Sequence, residues 1–530
     1  MKELFQTRRV FVFILALGLF IMAARSATDP DLWWHLRTGQ LTVQNLRVFH
    51  NDPYSFTRFD EHWVDHEWLS QIFIWGLYRM AGWAGLIAGF AAIIAAAFLL
   101  VFRRSPGQPY IAGAVTVWGA VASIPCWGVR PQMLTLLLAS IFLLLLEQSY
   151  QRPKLLWWLP LLTLLWVNLH AGFALGIAFL LMFLIGDALD LAFGYKDPPL
   201  SPTRFRQLAL VTAICAAGVA LNPYGLQMYR YPFETLHSRA MQAYIGEWLS
   251  PNFHESRYLP TLFLMLATLV VPALSPRRLR PRELLLLTVT TYAALRSVRH
   301  IPIYVLVVVP LLSGMITACL RVRSAAAANQ AASTDSAAER RQNKAQGASP
   351  GSVAGDNQAP GGRKSGLDLF GPPSPLTPGK LTINALLLAG FLCFTSARLH
   401  YVVIHQPATE AKEFPSAAAS FLVASRPAGP LLNHYNWGGY FIWKLFPAYK
   451  VYIDGRADLY GDAFMDQFAA TYYLKGKSWQ DPLAEWGIRT VVLPPDAPLI
   501  VALRAMPAWK EVFADKQAVV LTRTEPGASH

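Results

Sequence analysis

Long apolar runs separated by short polar loops fill the first 323 residues of the chain. Ten runs lie at roughly 8–24, 83–102, 110–127, 131–147, 154–169, 171–191, 207–222, 258–274, 283–298 and 301–320, and one more follows at 382–399. A helix that crosses a bilayer needs about 20 mainly apolar residues, and several of these runs are shorter. The pattern predicts a polytopic α-helical membrane protein with about 11 transmembrane helices.

The pattern changes after the tenth run. Residues 324–380 are rich in Ala, Ser, Gly, Gln and Pro, which predicts a disordered cytoplasmic linker because this composition buries too little apolar surface to fold. Residues 381–404 hold the last transmembrane helix, and 405–530 alternate short strand and helix patterns, which predicts a soluble α/β domain. Its candidate strands are Pro430–Leu432, Lys450–Ile453, Thr490–Leu493, Lys510–Phe513 and Ala518–Thr522, and its candidate helices are Gly439–Leu445, Ala463–Leu474 and Leu499–Met506.

Basic side chains fall in alternate loops of the membrane domain, residues 1–323. They are Arg103, Arg104, Arg152, Lys154, Lys196, Arg204, Arg206, Arg277, Arg278, Arg280, Arg282, Arg321 and Arg323. Because Lys and Arg concentrate in cytoplasmic loops, the N-terminus is predicted to be cytoplasmic. The outer face then receives the 25–82 loop, the 223–257 loop, the turns near Arg130, His170 and 296–300, and the C-terminal domain.

Composition supports a membrane protein and excludes a nucleic-acid-binding one. Hydrophobic residues make up 54% and charged residues 15% of the chain, against about 25% charged in soluble proteins. The net charge of +14 comes from arginines between apolar runs, where orientation in the bilayer explains them. The four cysteines lie in or at the ends of apolar runs without C-x-x-C spacing, so they are expected to be buried thiols.

The stretch Thr28–Leu69 concentrates titratable side chains beside the first apolar run. Its acidic and imidazole groups are Asp29, Asp31, His35, His50, Asp52, Asp60, Glu61, His62, Asp65, His66 and Glu67. They crowd against the indoles of Trp33, Trp34, Trp63 and Trp68. A polar loop edged with tryptophan beside a membrane span is typical of a catalytic site at a membrane surface.

Three carboxylates of this stretch are candidate catalytic groups, namely Asp31, Asp65 and Glu67. Asp31 and His35 are four residues apart and share a helix face, as His62, Asp65 and His66 also do. A carboxylate can accept a proton from a hydroxyl group, and hard cations such as Mg²⁺ or Mn²⁺ prefer oxygen ligands. Asp31, His35 and His66 are therefore the candidate metal ligands. The alternative is a solvated loop in which D-H-E caps a helix and Asp29 and Asp52 shape turns.

Basic and imidazole groups at the predicted outer ends of spans are candidate phosphate ligands. They are Arg130, His170, Arg296, Arg299 and His300, with Arg37 just beyond His35. A guanidinium group matches the oxygens of a phosphate, and ionisable residues at membrane depth are costly to keep without a function. The alternative for each is a side chain that extends to the lipid headgroups.

Two motifs stand out in the C-terminal domain, N-H-Y-N-W-G-G-Y at 433–440 and D-G-R-A-D at 454–458. Trp437, Tyr440, Asp454 and Arg456 are candidate substrate-binding residues, because loops after strands often carry sites. The alternative is a turn packed against the membrane domain. The sequence has no G-x-G-x-x-G, P-loop or serine-nucleophile elbow, which argues against nucleotide hydrolysis and serine hydrolase chemistry.

These motifs resemble those of the C-type (GT-C) membrane glycosyltransferases, above all the catalytic subunit of oligosaccharyltransferase. That subunit has an aspartate, then aromatic residues, then an arginine six positions on, which matches the order of Asp31, Trp33, Trp34 and Arg37. It ends in an outer α/β domain that opens on W-W-D-Y-G, to which residues 435–440 are similar without the aspartate. The chain also resembles a group of bacterial membrane proteins with D-L-W-W-H, W-G-G-Y and D-G-R.

The resemblance implies an enzyme of the bacterial inner (plasma) membrane with a periplasmic C-terminal domain. It would move a sugar from a polyprenyl-phosphate donor to a glycan, lipid or protein acceptor, with a divalent cation as its cofactor. The partners would be the lipid-linked donor, the acceptor and membrane lipids, without nucleic acid. Two rivals stay open, a non-catalytic component of surface polysaccharide assembly or export and a transporter. An enzyme would need Asp31, residues 65–67 and Arg299 around one cavity. If these residues are far apart, the non-catalytic role is favoured.

The predicted topology is tested by the accessibility of introduced cysteines. Single cysteines at Gln40 and Gly476 should react with a membrane-impermeant thiol reagent in intact cells, because both positions are expected outside. A cysteine at Gly351 should react only after the cells are broken. Labelling of Gly351 alone in intact cells would reverse the orientation.

Overall fold

The computed structural model describes residues 5–195, 201–345 and 376–524, and for 325–345 only the helical backbone. The protein is mostly helical, with one small sheet near the C-terminus. The helices of the first half are α1 (Thr7–Ala23), α2 (Leu32–Asn45), α3 (Trp68–Arg104), α4 (Pro109–Ser123), α5 (Gln132–Gln148), α6 (Trp158–Leu169), α7 (Phe173–Ala192), α8 (Pro202–Gly218), α9 (Gln227–His237), α10 (Arg239–Tyr244), α11 (Leu259–Leu274), α12 (Pro281–Arg296) and α13 (Ile301–Ala345).

The C-terminal part contains the remaining helices and all strands of the described chain. These are α14 (Pro378–Glu413), α15 (Ser416–Ser425), β1 (Leu431–Asn433), α16 (Gly438–Leu445), α17 (Ala457–Tyr472), α18 (Asp481–Glu485), β2 (Thr490–Leu493), α19 (Pro498–Arg504), β3 (Trp509–Ala514) and β4 (Val519–Arg523). The strand order is β1-β2-β4-β3. Strand β1 is parallel to β2, and the other two pairs are antiparallel.

Six helical segments of the described chain are long and apolar enough to cross a membrane. They are Trp68–Arg104, Pro109–Cys126, Phe173–Ala192, Ser256–Leu274, Val298–Ser324 and Pro378–Glu413. The prediction of about eleven spans is therefore wrong by this criterion. The other five runs form helices of at most 17 residues, at Thr7–Ala23, Gln132–Gln148, Pro153–Leu169, Pro202–Gly218 and Pro281–Arg296. Proline or a charged loop shortens several of them, so they fall below about 20 residues.

Helix α3 changes direction at the boundary between the predicted outer loop and the predicted second span. Ala81 and Gly82 have non-helical dihedral angles, and Gly82 has a φ of 55°. Glycine adopts this left-handed conformation without the steric cost that a side chain adds. The first part of α3 therefore belongs to residues 25–82, the predicted outer loop, which we call the outer segment. The part of α3 after Gly82 is the apolar span.

The prediction for residues 324–380 falls only partly on described residues. Helix α13 continues to Ala345, so the backbone is helical over the first part of the predicted linker. Residues 346–375 lie outside the described residues. The disordered linker stays a prediction for that part of the chain.

The structure confirms four of the five predicted strands in the C-terminal domain, and the three predicted helices. Strands β1 to β4 overlap the predicted runs at 430–432, 490–493, 510–513 and 518–522 within one or two residues. The run Lys450–Ile453 is not part of the sheet. Val451 instead forms an isolated parallel bridge with Ser55 of the outer segment, so the outer segment supplies its hydrogen-bonding partner.

Two glycines of W-G-G-Y allow α16 to approach two backbone segments closely, one in the outer segment and one in the C-terminal domain. A Cβ on Gly439 would lie 2.5 Å from the carbonyl oxygen of Pro30, and one on Gly438 would lie 2.5 Å from the Cα of Asp454. Real side chains do not tolerate such distances, so only glycine fits at both positions. Helix α16 consequently packs on α2, where Trp33 meets the ring of Tyr440 edge to face at 4.8 Å.

A buried ion cluster joins the two parts of the chain. The guanidinium of Arg456 donates to both carboxylate oxygens of Asp454, at 2.8 and 2.6 Å, and to Asp52 at 2.7 Å. The three side chains are at most 1% exposed, and the rings of Tyr54 and Trp63 lie 5.2 and 4.7 Å from the guanidinium carbon. Asp52 also accepts the backbone N–H groups of Tyr54 and Ser55. The cluster therefore holds the outer segment against the C-terminal domain.

Replacing Arg456 with methionine should destabilise the protein strongly. The change leaves the Asp52 and Asp454 carboxylates buried without their cation, which typically costs about 3–5 kcal/mol. Thermal unfolding of the detergent-solubilised protein measures the loss. Arg504→Met is the matched control, because Arg504 pairs with Glu511 at the surface and an exposed pair contributes about 0–1 kcal/mol. Equal shifts for the two variants would contradict a structural role for the cluster.

Candidate functional site

Three histidines from separate parts of the membrane domain surround the carboxylate of Glu67. The Nε2 atoms of His35, His66 and His170 lie 3.5, 3.5 and 3.3 Å from its oxygens. His35 is on α2, Glu67 precedes α3, and His170 follows α6. Glu67 is buried, with 5% of its surface exposed. Packing of α2 on α3 brings His35 to Glu67, whereas His170 arrives from a turn about 100 residues later in the chain.

Hydrogen bonds determine the tautomer of His170. The Nδ1 atom lies 2.9 Å from the backbone nitrogen of Gly172, which can only donate, and 2.9 Å from the hydroxyl of Thr135. The same hydroxyl accepts the indole N–H of Trp166, so its own proton is free to point at Nδ1. Nδ1 is therefore an acceptor, and neutral His170 carries its proton on Nε2, directed at Glu67. Burial lowers the pKa of His170 to about 3, which keeps it neutral.

The charge of this cluster is concentrated on Glu67 and His66. Burial raises the pKa of the Glu67 carboxyl, but His66 and His35 outweigh it and hold that pKa well below its usual range. Burial lowers the pKa of His66, but Glu67 outweighs it and the net shift is upward. Burial also lowers the pKa of His35 to about 4. The cluster thus contains one carboxylate, one imidazole that favours its charged form and two neutral imidazoles.

Tyr231 connects this cluster to the C-terminal domain. Its hydroxyl donates to a carboxylate oxygen of Asp458 at 3.0 Å and lies 3.4 Å from Nε2 of His66. The rings of Tyr231 and His66 have centroids 4.2 Å apart. Asp458 is the last residue of D-G-R-A-D, so the motif that holds the ion cluster also reaches the site. Three segments distant in sequence, around Glu67, Tyr231 and Asp458, therefore share one hydrogen-bonded group.

Asp31 lies at the junction of the outer segment and the C-terminal domain. Its carboxylate accepts the indole N–H of Trp34 at 3.2 Å and contacts the backbone at Gly455, where a Cβ would overlap it. The pKa of Asp31 is raised to about 7, mainly by burial and next by repulsion from Asp29. Glu67 adds to this increase, whereas Arg130 opposes it. Glu67 and Arg130 are thus both within electrostatic reach of Asp31.

Arg130 lies between two carboxylates. Its Nε is 2.9 Å from Asp29, and its two terminal nitrogens donate to Glu247, one of them at 3.0 Å. Glu247 also pairs with Arg299 at 3.6 Å, and the Arg299 guanidinium lies 4.9 Å from the ring centroid of Trp248. Burial raises the pKa of Glu247, but Arg130 and Arg299 lower it to about 2. Both arginines are therefore already neutralised by carboxylates.

Asp65 is buried beside the same cluster. One carboxylate oxygen accepts the amide N–H of Gln71, and the other has no hydrogen-bond partner among the described residues. Burial raises the pKa of Asp65 to about 7, although His66 lowers it. A buried carboxyl group with an unpartnered oxygen favours its protonated form.

The predicted metal ligands do not converge on one point. His35 and His66 face Glu67, whereas Asp31 faces Trp34 and Gly455. Within residues 5–195, 201–345 and 376–524, no group of three or more His, Cys, Asp or Glu side chains has the arrangement of a metal site. Asp29 is adjacent to Asp31, whose backbone N–H donates to the Asp29 carboxylate at 2.9 Å.

Three of the predicted ligands lie away from Asp31 and bind protein groups instead. Arg37 donates to the carbonyl oxygen of Trp443 at 2.6 Å and so contacts α16. Trp437 and Tyr440 are 8% and 1% exposed, and Tyr440 donates to Glu410 at 3.0 Å. These side chains pack between the two domains, so they are not free to bind a ligand.

Four other predicted ligands have different surroundings. Arg296 donates to Gln242 at 2.9 Å near the surface. The His300 ring lies 6.4 Å from that of Trp248, and its Nδ1 has no partner in the described chain. Asp454 and Arg456 form the ion cluster described above and cannot reach a ligand without breaking it.

Sequence reasoning missed Glu247, Tyr231 and the role of Asp458. Glu247 and Tyr231 lie in the predicted outer loop 223–257, so their side of the membrane was available from the basic-loop pattern. Their partners could not be predicted from the sequence. Arg130 and Glu247 are separated by 117 residues, and Tyr231 and Asp458 are separated by 227. A single acidic residue in a long loop carries no signal that would single it out.

Comparison with known proteins identifies no family for the chain. No protein-family model and no curated protein matches it. Among solved structures, it is similar to the apo form of the Archaeoglobus fulgidus oligosaccharyltransferase, at 11% sequence identity and a TM-score of 0.45. The match covers 91% of this chain and 69% of the archaeal chain.

Glu67→Gln should destabilise the protein more at pH 6 than at pH 9. Because the pKa of Glu67 is lowered and that of His66 is raised, their pairing stabilises the fold between pH 4.5 and 6.5. It is lost as the pH rises through the higher folded-state pKa of His66. The expected loss is about 1–3 kcal/mol at pH 6, measured by thermal unfolding at both pH values. Glu234→Gln, at an exposed position of α9, should show no such difference, and a pH-independent loss in Glu67→Gln would refute the charged pair.

Proposed function

We propose that this protein is a membrane glycosyltransferase whose reacting centre is the Asp31 carboxylate. The observation that carries the proposal is the position of Asp31 among groups from separate elements. Its carboxylate accepts the indole N–H of Trp34 and contacts Gly455, and the neighbouring Asp29 pairs with Arg130 at 2.9 Å. Arg299 reaches the same region through Glu247. An enzyme requires Asp31, residues 65–67 and Arg299 around one cavity. The chain of ion pairs from Asp29 through Arg130 and Glu247 to Arg299 supports the link between the Asp31 region and Arg299.

Asp31 is suited to accept a proton from an acceptor hydroxyl. A general base works best when its pKa is near the working pH, and burial together with Asp29 places that of Asp31 at about 7. The indole N–H of Trp34 orients the carboxylate from one side and Gly455 bounds it on the other. Only a small part of the acceptor, such as one hydroxyl group, would fit against it.

Asp29 and Asp31 also fit a hard divalent cation. Burial raises the pKa of both carboxyls, and repulsion from Asp29 adds to the increase at Asp31. A cation would relieve that repulsion as a proton does. A magnesium ion commonly takes one or two carboxylates and completes its coordination with water and substrate phosphate. Such an ion would supply charge stabilisation to a departing phosphate.

The donor would be a sugar on a polyprenyl phosphate, and the acceptor a glycan, lipid or protein on the outer face. Arg299 is the best candidate for the phosphate, because its ion pair with Glu247 is long, at 3.6 Å, and Glu247 also pairs with Arg130. Arg130 is held more firmly by two carboxylates. A phosphate that displaces Glu247 from Arg299 would gain a charge-assisted contact without uncovering Arg130.

A non-catalytic role in surface polysaccharide assembly or export is the second candidate. It is favoured by the burial of Trp437, Tyr440, Asp454 and Arg456, which the sequence offered as binding residues and which the fold uses for packing. In that case the Asp31 region would be a structural junction.

Asp31→Asn should abolish glycosyl transfer and leave folding nearly unchanged, because the side chains are almost isosteric. Loss of a general base typically lowers the rate about 10²–10⁴-fold. For the wild type, kcat/KM should rise with pH up to about 7, as Asp31 loses its proton, and then level off. The measurement is mass spectrometry of surface glycans from cells that carry each variant, followed by the pH profile with the purified protein and its donor.

Two variants act as controls for this test. Asp29→Asn should be milder, because Asp29 pairs with Arg130 and shapes the turn into α2. Asp65→Asn should keep activity, since Asp65 contacts Gln71 rather than the Asp31 region. Wild-type glycans in Asp31→Asn cells would reject the proposal, and a dead Asp65→Asn would show that the base is misassigned. Loss of activity with a chelator, restored by Mg²⁺ or Mn²⁺, would support the cation.

A further inference from the structure

Helix α9 divides its surface into three sectors. At 3.6 residues per turn, positions three and four apart lie on one face. One sector carries large apolar side chains that are exposed, and we call it the apolar row. Its members are Leu226 just before the helix, Tyr229, Phe233 and Leu236, which are 74%, 37%, 64% and 48% exposed. Charged residues are absent from this sector.

Of the other two sectors of α9, one is buried against the protein and the other is polar and exposed. Met228 and Tyr231 are buried, and Tyr231 reaches the Glu67 site through His66 and Asp458. The third sector is polar and exposed, and its members are Gln227, Arg230, Glu234 and His237. The helix therefore has one face for the protein, one suited to water and one that is apolar but uncovered.

The apolar row continues an apolar surface of the membrane domain. Leu210 and Ile214 on α8 are 52% and 38% exposed, and Leu221 beyond its end is 64% exposed. The hydroxyl of Tyr229 donates to the carbonyl oxygen of Ala216 at 2.6 Å, in the last turn of α8. This bond places the apolar row at the end of α8, a helix that also exposes apolar side chains.

A contiguous row of exposed apolar side chains marks a surface that contacts another molecule or the membrane, whereas single exposed apolar residues are common and need no such explanation. A helix with one apolar face and one charged face lies in the boundary between lipid headgroups and acyl chains, with its axis along the surface. We propose that α9 is such an interface helix, and that its apolar row inserts into the lipid surface next to the Glu67 site. The helix then forms the wall that separates lipid from the site.

Lipid is the occupant that the surroundings of α9 favour. The apolar row lies at the end of α8, and Leu210, Ile214 and Leu221 are exposed on and beyond that helix, so apolar surface is present on both elements. Arg230 beside the row and the largely exposed Arg239 after the helix provide cations at headgroup level. The inference requires membrane insertion but not glycosyl transfer, so the two proposals fail independently.

A fluorescence experiment on the full chain tests the proposal. Phe233→Cys and its matched control Glu234→Cys are each labelled with an environment-sensitive thiol dye. Cys319 and Cys393 are replaced by alanine in both, whereas Cys126 and Cys215 are buried and remain. The proteins are reconstituted in phosphatidylcholine–phosphatidylglycerol vesicles with or without bromine on the acyl chains, and iodide is added from the aqueous side.

The dye at 233 should be quenched severalfold more by brominated lipid than the dye at 234, and iodide should give the opposite order. Equal quenching at the two positions would overturn the proposal. So would protection of the dye at 233 from both quenchers, since that result indicates a protein partner or a second copy. If Phe233→Cys does not fold, Leu226→Cys with Gln227→Cys as control reports on the same sector.

Discussion

The burial of Arg456 between Asp454 and Asp52 is the interaction on which the rest of the structure depends. Asp52 and Arg456 are 404 positions apart, so this contact closes the outer segment onto the C-terminal domain. Two buried carboxylates and one guanidinium are tolerable only when each oxygen finds a donor, and backbone N–H groups and Tyr460 supply the remainder. Gly455 and Asp458, which flank Arg456, are thereby placed against Asp31 and Tyr231.

Burial explains why titratable groups of the outer segment differ from ordinary surface residues. Asp31 and Asp65 have raised pKa values because the C-terminal domain and α3 exclude water from them. Glu67 keeps its charge in the same environment because three imidazoles surround it. Asp31 and Asp65, whose pKa values are raised, therefore lie close to Glu67, whose pKa is lowered. Neighbouring acidic groups with pKa values shifted in opposite directions are typical of sites of acid–base chemistry.

The arrangement also limits where substrates could bind. The C-terminal motifs and Arg37 hold the domains together, and Arg130 is shared between Asp29 and Glu247. A phosphate must therefore compete with Glu247 for Arg299. If α9 lies at the lipid surface as proposed, access from the lipid side passes this helix, which carries Tyr231 on its buried face and apolar side chains on an exposed face. The chemistry and the membrane boundary thus meet at one helix.

The sequence by itself determined the apolar helices, the α/β character of the last domain and the positions of four strands, because these follow from local periodicity. It also identified residues 28–69 as the polar region of interest. Only the tertiary structure decided that the run at 450–453 pairs with Ser55, that Asp31 and His66 face different groups, and that Glu247 neutralises two arginines. These contacts join residues far apart in the chain, and neither spacing nor composition encodes which distant partner a buried charge will meet.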